Sequence, residues 1–115
     1  MPSPSQTFFA RSGNTNPLYA SVNCSASGLN TIVASAAGQQ IIVLQYTLVA
    51  GSAVTVTWES SGGTVLGGPM SFAANGGVST PYNPTAHFVT LTGEGLSLYL
   101  SASQQVGGHV SYILA

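Results

Sequence analysis

Lysine and aspartate are missing from this chain of 115 residues, and its ionised side chains are Arg11, Glu59 and Glu94. Charged residues make up 3% of the sequence, where about 25% is usual in soluble domains. One Arg without Lys cannot neutralise a phosphate backbone, which excludes nucleic acid as a partner. A triad with Asp is impossible, and a calcium site would need clustered acidic oxygens that the chain lacks. Cysteine is nearly absent too. Cys24 stands alone, so it forms no internal disulfide, and with no basic neighbour it reads as an inert small residue. Apolar runs reach about four residues, as at Ile41 to Leu44, far short of the roughly twenty residues a membrane helix needs, so no membrane partner is expected. The start, MPSPSQTFFARS, has no basic segment followed by an apolar one, so no secretory signal is predicted. The Asn23-Cys24-Ser25 acceptor pattern is then a coincidence.

The groups present are poor material for catalysis. Glu59 and Glu94 could form a glycosidase pair only if the fold held them about 5 to 10 Å apart. His87 and His109 have no Cys or Asp at ligand spacing, which leaves a zinc site only where copies of one His meet on a three-fold axis. Four Gly pairs, beginning at Gly62, Gly67, Gly76 and Gly107, precede no helix start and no Lys; they read as turns rather than phosphate loops. No enzyme activity, metal or cofactor is expected.

A hydrophobic fraction of 44%, with solubility resting on Ser, Thr, Asn and Gln rather than on charge, describes a surface that does not repel its own copies. Self-association into a homo-oligomer follows as an expectation. The pattern of apolar residues is that of strands. Between Gln40 and Ser60, Ile42, Leu44, Tyr46 and Leu48 alternate, then Val54, Val56 and Trp58, with Ala50-Gly51-Ser52 between them. Alternation of period two predicts two antiparallel strands joined as a central hairpin. If the first set faces the core, Ile41, Val43 and Val49 lie on the opposite face, where polar groups normally meet water. That face is expected to be covered by the N-terminal segment or by a neighbouring subunit.

The rest of the chain divides at turn residues. Residues 1–28 are rich in Pro, Gly and Asn and read as an N-terminal arm, with Phe8, Phe9 and Arg11 in a short extended piece that packs across a neighbour or forms an edge strand. Residues 29–115 form the β domain. Strands are expected at Leu29 to Ala34, Thr64 to Leu66, Pro69 to Ala74, Phe88 to Leu91, Leu96 to Leu100 and from Val110 to the C-terminus. Between Asn75 and Pro84 the sequence NGGVSTPYNP predicts a constrained loop displaying Tyr82, and Gln104 to Gly108 a second loop. About eight short strands with turn signals every eight to twelve residues predict an all-β, antiparallel β-sandwich of jelly-roll type.

The segment LGGPMSFAANGGVSTPYNP, Leu66 to Pro84, and the GEGLSLYL that ends at Leu100 resemble a small structural protein of tailed bacteriophages. The likeness runs from about Thr31 to Ala115. It implies a capsid decoration, or cement, protein: a small β-sandwich, commonly trimeric, that binds the major capsid protein on the outer surface of the virion head and bridges capsomers. Phe8, Phe9, Arg11, Ile41, Val43, Val49 and Tyr82 are the expected interface residues. The alternative expectation is a head-fibre or tail-fibre module, or a carbohydrate-binding module stacking sugars on Trp58, Tyr82 or Tyr99.

Overall fold

The computed structural model describes residues 16–115. Nine strands run in the order β1 (Leu18–Cys24), β2 (Gly28–Val33), β3 (Ile41–Ala50), β4 (Val54–Ser60), β5 (Met70–Phe72), β6 (Gly77–Ser79), β7 (Phe88–Val89), β8 (Leu96–Leu100) and β9 (Val106–Leu114). No helix occurs among the described residues. A five-stranded sheet has the order β1-β9-β3-β6, with β7 also on β3, and a four-stranded sheet has the order β2-β8-β4-β5. All pairings are antiparallel. With the two-residue β7 set aside, the first strand pairs with the last, the second with the last but one, and so inward to β4 and β5. This is a long antiparallel ribbon rolled over on itself, the jelly-roll form of the β-sandwich.

The rolled ribbon corrects the expectation of a central hairpin. Except for β4–β5 and β6–β7, successive strands of the roll alternate between sheets, so β3 pairs with β9, β6 and β7 while β4 pairs with β8 and β5. The turn at Ala50-Gly51-Ser52 exists, but it carries the chain across the sandwich. The Ala50 N–H bonds to Gly76 O and the Gly51 N–H to Gln105 O, each at 2.8 Å, in place of bonds across a hairpin. Tyr46, Leu48 and Ala50 therefore face Val54, Val56 and Trp58 through the interior, all in one buried cluster. Alternation shows which side is buried, and both arrangements bury the same residues.

Register corrects the faces of β3 as well. Its pairing with β9 slips between Val43 and Gln45, a bulge at Leu44 that reverses the side to which every later residue points. Ile41 and Val43, expected on the outer face, are 1% and 0% exposed in the main core. Ile42 and Leu44, expected inside it, form a second cluster with Ile113 on the other side of the sheet, packed against Ala86, Val89 and Ala115. The apolar second face is thus real, but made of different residues, and the chain's own β9 end and the segment before β7 lie on it. Val49, beyond the bulge, keeps its expected outward position at 50% exposure.

Three of the four smaller differences share one cause, the reading of small residues as turns. Leu18–Cys24, placed in the arm, is β1 and pairs with β9 over seven residues, so the sheet begins ahead of the expected boundary at residue 28. The last strand starts at Val106 rather than Val110, taking in Gly107-Gly108. A β-carbon at Gly108 would overlap the Thr47 carbonyl oxygen, and one at Gly77 the Leu48 carbonyl. These glycines let neighbouring strands approach, and Gly77 sits in β6, inside the stretch expected to be loop. Thr64 to Leu66, expected to be a strand, makes only the single bridge Glu59 to Val65.

Candidate interaction surfaces

Residues directly opposite in a ladder share a face, so the registers lay out the outer surface of the five-stranded sheet in rows. Tyr19, Ser111 and Gln45 form one, and Ser21, His109, Thr47 and Ser79 the next. Asn23, Gly107, Val49 and Gly77 form the third. No residue in these rows carries a formal charge. Val49 and Gly77 line a shallow open depression together with Thr47, Val78 and Ser79. Tyr19, 74% exposed, is the most exposed large apolar side chain among the described residues. The Thr47 and Ser79 hydroxyls bond at 3.0 Å, tying β6 to β3.

The outer face of the four-stranded sheet follows the same construction. Leu29, Tyr99 and Thr57 lie in one row, and Thr31, Ser97 and Glu59 in the next. Leu29 and Tyr99 are 47% and 41% exposed, an apolar pair among hydroxyls. Val65 and Leu91 are exposed nearby in sequence to the ends of β4 and β7.

At the β3 edge of the larger sheet the segment from Thr80 to Thr90 runs along the strand. The backbone N–H groups of Thr80, Asn83, His87 and Thr90 donate to the carbonyls of Tyr46, Leu44, Val43 and Ile41, at 2.8 to 3.0 Å. Asn83 organises the turn. Its Oδ1 accepts from Thr85 N–H at 3.0 Å and Thr85 Oγ1 at 2.7 Å, and its Nδ2 donates to Ala86 O at 3.2 Å. His87 Nε2 lies 2.8 Å from Pro81 O, a bond that the tautomer protonated on Nε2 donates. Tyr82 is held at the top of this loop, half exposed.

Beneath the loop, Tyr46, Trp58 and Phe88 form an aromatic cluster, with ring centroids 5.4 Å apart for Tyr46 and Trp58 and 5.9 Å for Trp58 and Phe88. Trp58 is 1% exposed and so is no stacking platform for a sugar. Its Nε1–H has no hydrogen-bond partner among the described residues. Burial pushes the Tyr46 phenol above its ordinary pKa. The nearby Trp58 indole opposes that shift, although its approach is too loose to be a hydrogen bond. The Tyr46 hydroxyl reaches Met70 Sδ at 3.7 Å.

Glu59 is on the outer face of β4 opposite Ser97, whereas Glu94 closes the turn before β8, its Oε1 accepting the Gly62 N–H at 2.9 Å. Among the described residues no three of His, Cys, Asp or Glu come together. Cys24 is buried on β1, its thiol pushed up by burial and 3.9 Å from Val106 O.

Of the expected interface residues, Val49 and Tyr82 are exposed, Ile41 and Val43 are interior, and Phe8, Phe9 and Arg11 lie outside the described residues. Tyr19 and Leu29 were not among them. Tyr19 stands out of phase with Leu18, Ala20 and Val22, a signal that could have found it, whereas Leu29 has Gly28 and Asn30 as inward neighbours and is placed only by its register with Tyr99. Comparison of the chain with known protein families, with curated proteins and with solved structures yields no match.

Proposed function

We propose that the chain is a virion structural protein, a decoration or cement protein that binds the outer surface of a phage head through the major capsid protein and stabilises the shell by bridging capsomers. The observation that carries this reading is a two-faced sandwich whose outer rows hold large apolar side chains, Tyr19 and Val49 on one sheet and Leu29 and Tyr99 on the other, on a chain with three formal charges. Burying a few hundred Å² of apolar surface at about 25 cal/mol per Å² gives several kcal/mol before ordering costs. Repeated contacts around an oligomer then multiply weak individual affinities. The jelly roll is compatible with this role and with many others.

Co-sedimentation of the full chain with capsids assembled from the major capsid protein of the same genome tests the reading. Saturable binding at a fixed ratio to capsomers supports it. Failure to sediment with mature and precursor shells alike contradicts it.

A carbohydrate-binding module is the second reading, and Tyr99 favours it: an exposed phenol ring beside Leu29, with Thr57, Thr31, Ser97 and Glu59 around it, offers a stacking face with polar neighbours. Binding of soluble glycans that is lost in Tyr99→Ala, with no affinity for shells, selects it.

A further inference from the structure

We infer that β1 is a self-pairing edge: two copies of this chain join their Leu18–Cys24 strands antiparallel about a two-fold axis at Ser21, making one continuous sheet from two. The inference is independent of the capsid reading. It gives a dimer where the phage resemblance implies a trimer.

The first argument is the state of the edge. β1 pairs with β9 alone, and strand geometry turns half of its backbone N–H and C=O groups away from that partner. Among the described residues no backbone bond reaches this side. Its ladder runs from Leu18↔Tyr112 to Cys24↔Val106 without a register shift. Proteins blunt such edges with Lys, proline, bulges, very short strands or a covering segment. β1 uses none of these within its seven residues, LYASVNC. The other edges do: β5, β6 and β7 have three, three and two residues, and β2 carries a register shift between Thr31 and Val33.

The second argument is self-complementarity, which selects a second copy over an unrelated strand. An antiparallel pairing centred on Ser21 opposes Leu18 to Cys24 and Ala20 to Val22 on the inner face. On the outer face it opposes Tyr19 to Asn23 and Ser21 to Ser21. All seven residues find partners, apolar against apolar on the inner face, and on the outer face Ser21 against its own copy and the Tyr19 ring and hydroxyl against the Asn23 amide. A slip of one residue would set the apolar row against the polar one. Leu18 and Ala20 face inward yet are only half-buried, and the second copy's Cys24 and Val22 would cover them. No formal charge lies in β1 or β9 to oppose the approach.

The test uses the full chain and two variants on the exposed outer row. One carries Tyr19→Lys, Ser21→Lys and Asn23→Lys, the other Glu at the same positions. Like charges then face each other at three cross-strand pairs in either homodimer, and opposite charges in the mixed pair. Sedimentation equilibrium is expected to show a concentration-dependent dimer for the unsubstituted chain. Each variant alone should dissociate at least about tenfold more readily, and an equimolar mixture should regain the dimer. Circular dichroism checks that each variant folds. If a triple variant fails that check, Ser21→Lys and Ser21→Glu pose the same question, because residue 21 meets its own copy only across this axis. A chain that stays monomeric at high micromolar concentration overturns the proposal, as does an association that both charged variants retain.

Discussion

The two edges of the five-stranded sheet are finished in opposite ways. Along β3, the chain from Gly77 to Thr90 supplies two short strands and a series of single backbone bonds. Pro81, Pro84 and the positive φ of Ala86, 81°, keep that segment from becoming a regular strand open to another chain. Along β1 the ladder is regular and uncharged, and among the described residues no backbone bond reaches its outer side. With no Lys to place on its edges, the chain uses irregular backbone along β3 and, among the described residues, leaves β1 regular. The difference separates residues that hold the monomer together from residues free to meet a partner.

The largest effect is expected beneath the closed edge. Leu44→Ala should cost about 2 to 5 kcal/mol of unfolding free energy, read by urea denaturation, because Leu44 is fully buried against Ile42 and Ile113. Gly77→Ala comes next, at roughly 1 to 3 kcal/mol, since its new methyl group collides with the Leu48 carbonyl and displaces β6. Asn83→Ala removes the bonds to Thr85 and Ala86 and should cost about 1 to 2 kcal/mol, with faster exchange of the His87 amide. The open edge should behave otherwise. Ser21→Lys is expected to change monomer stability by no more than about 0.5 kcal/mol, and a larger loss would mean that β1 is already covered within one copy.

The smallest effect concerns pH. Burial raises both the Cys24 thiol on β1 and the Tyr46 phenol on β3, so the fold favours their protonated forms. Their contribution is complete below the unfolded values of about 8.5 and 10 and is lost as pH rises through the higher folded ones. Denaturation midpoints should therefore fall on the alkaline side, and Cys24→Ala should delay the onset of that fall.

Legibility in the sequence followed the same division. β8 was readable to the residue, because Leu96, Leu98 and Leu100 alternate between a Gly-flanked turn and a Ser-rich one. The sandwich and its jelly-roll form were readable from the spacing of such segments. β3 was readable as a strand but not in its facing: in Ile41 to Leu44 every residue is apolar, so nothing in the pattern marks the bulge that moves Ile41 and Val43 inward. β1 was not readable as a strand, since Ala20, Ser21, Asn23 and Cys24 are small or turn-forming and its pairing depends on β9, over eighty residues away along the chain. Of the residues the sequence offered for an interaction surface, Val49 and Tyr82 are exposed and Ile41 and Val43 are not. Which apolar residues stay outside depends on register, which composition does not carry.

Hydrogen exchange on the full chain, resolved by residue and followed across a range of concentrations, tests the contrast between the edges most directly. The account predicts that the amides of Thr80, Asn83, His87 and Thr90 are protected equally at every concentration, while the outward amides of Leu18–Cys24 gain protection only as the chain associates. Protection of those β1 amides in the dilute monomer, or no gain on concentration, would contradict it.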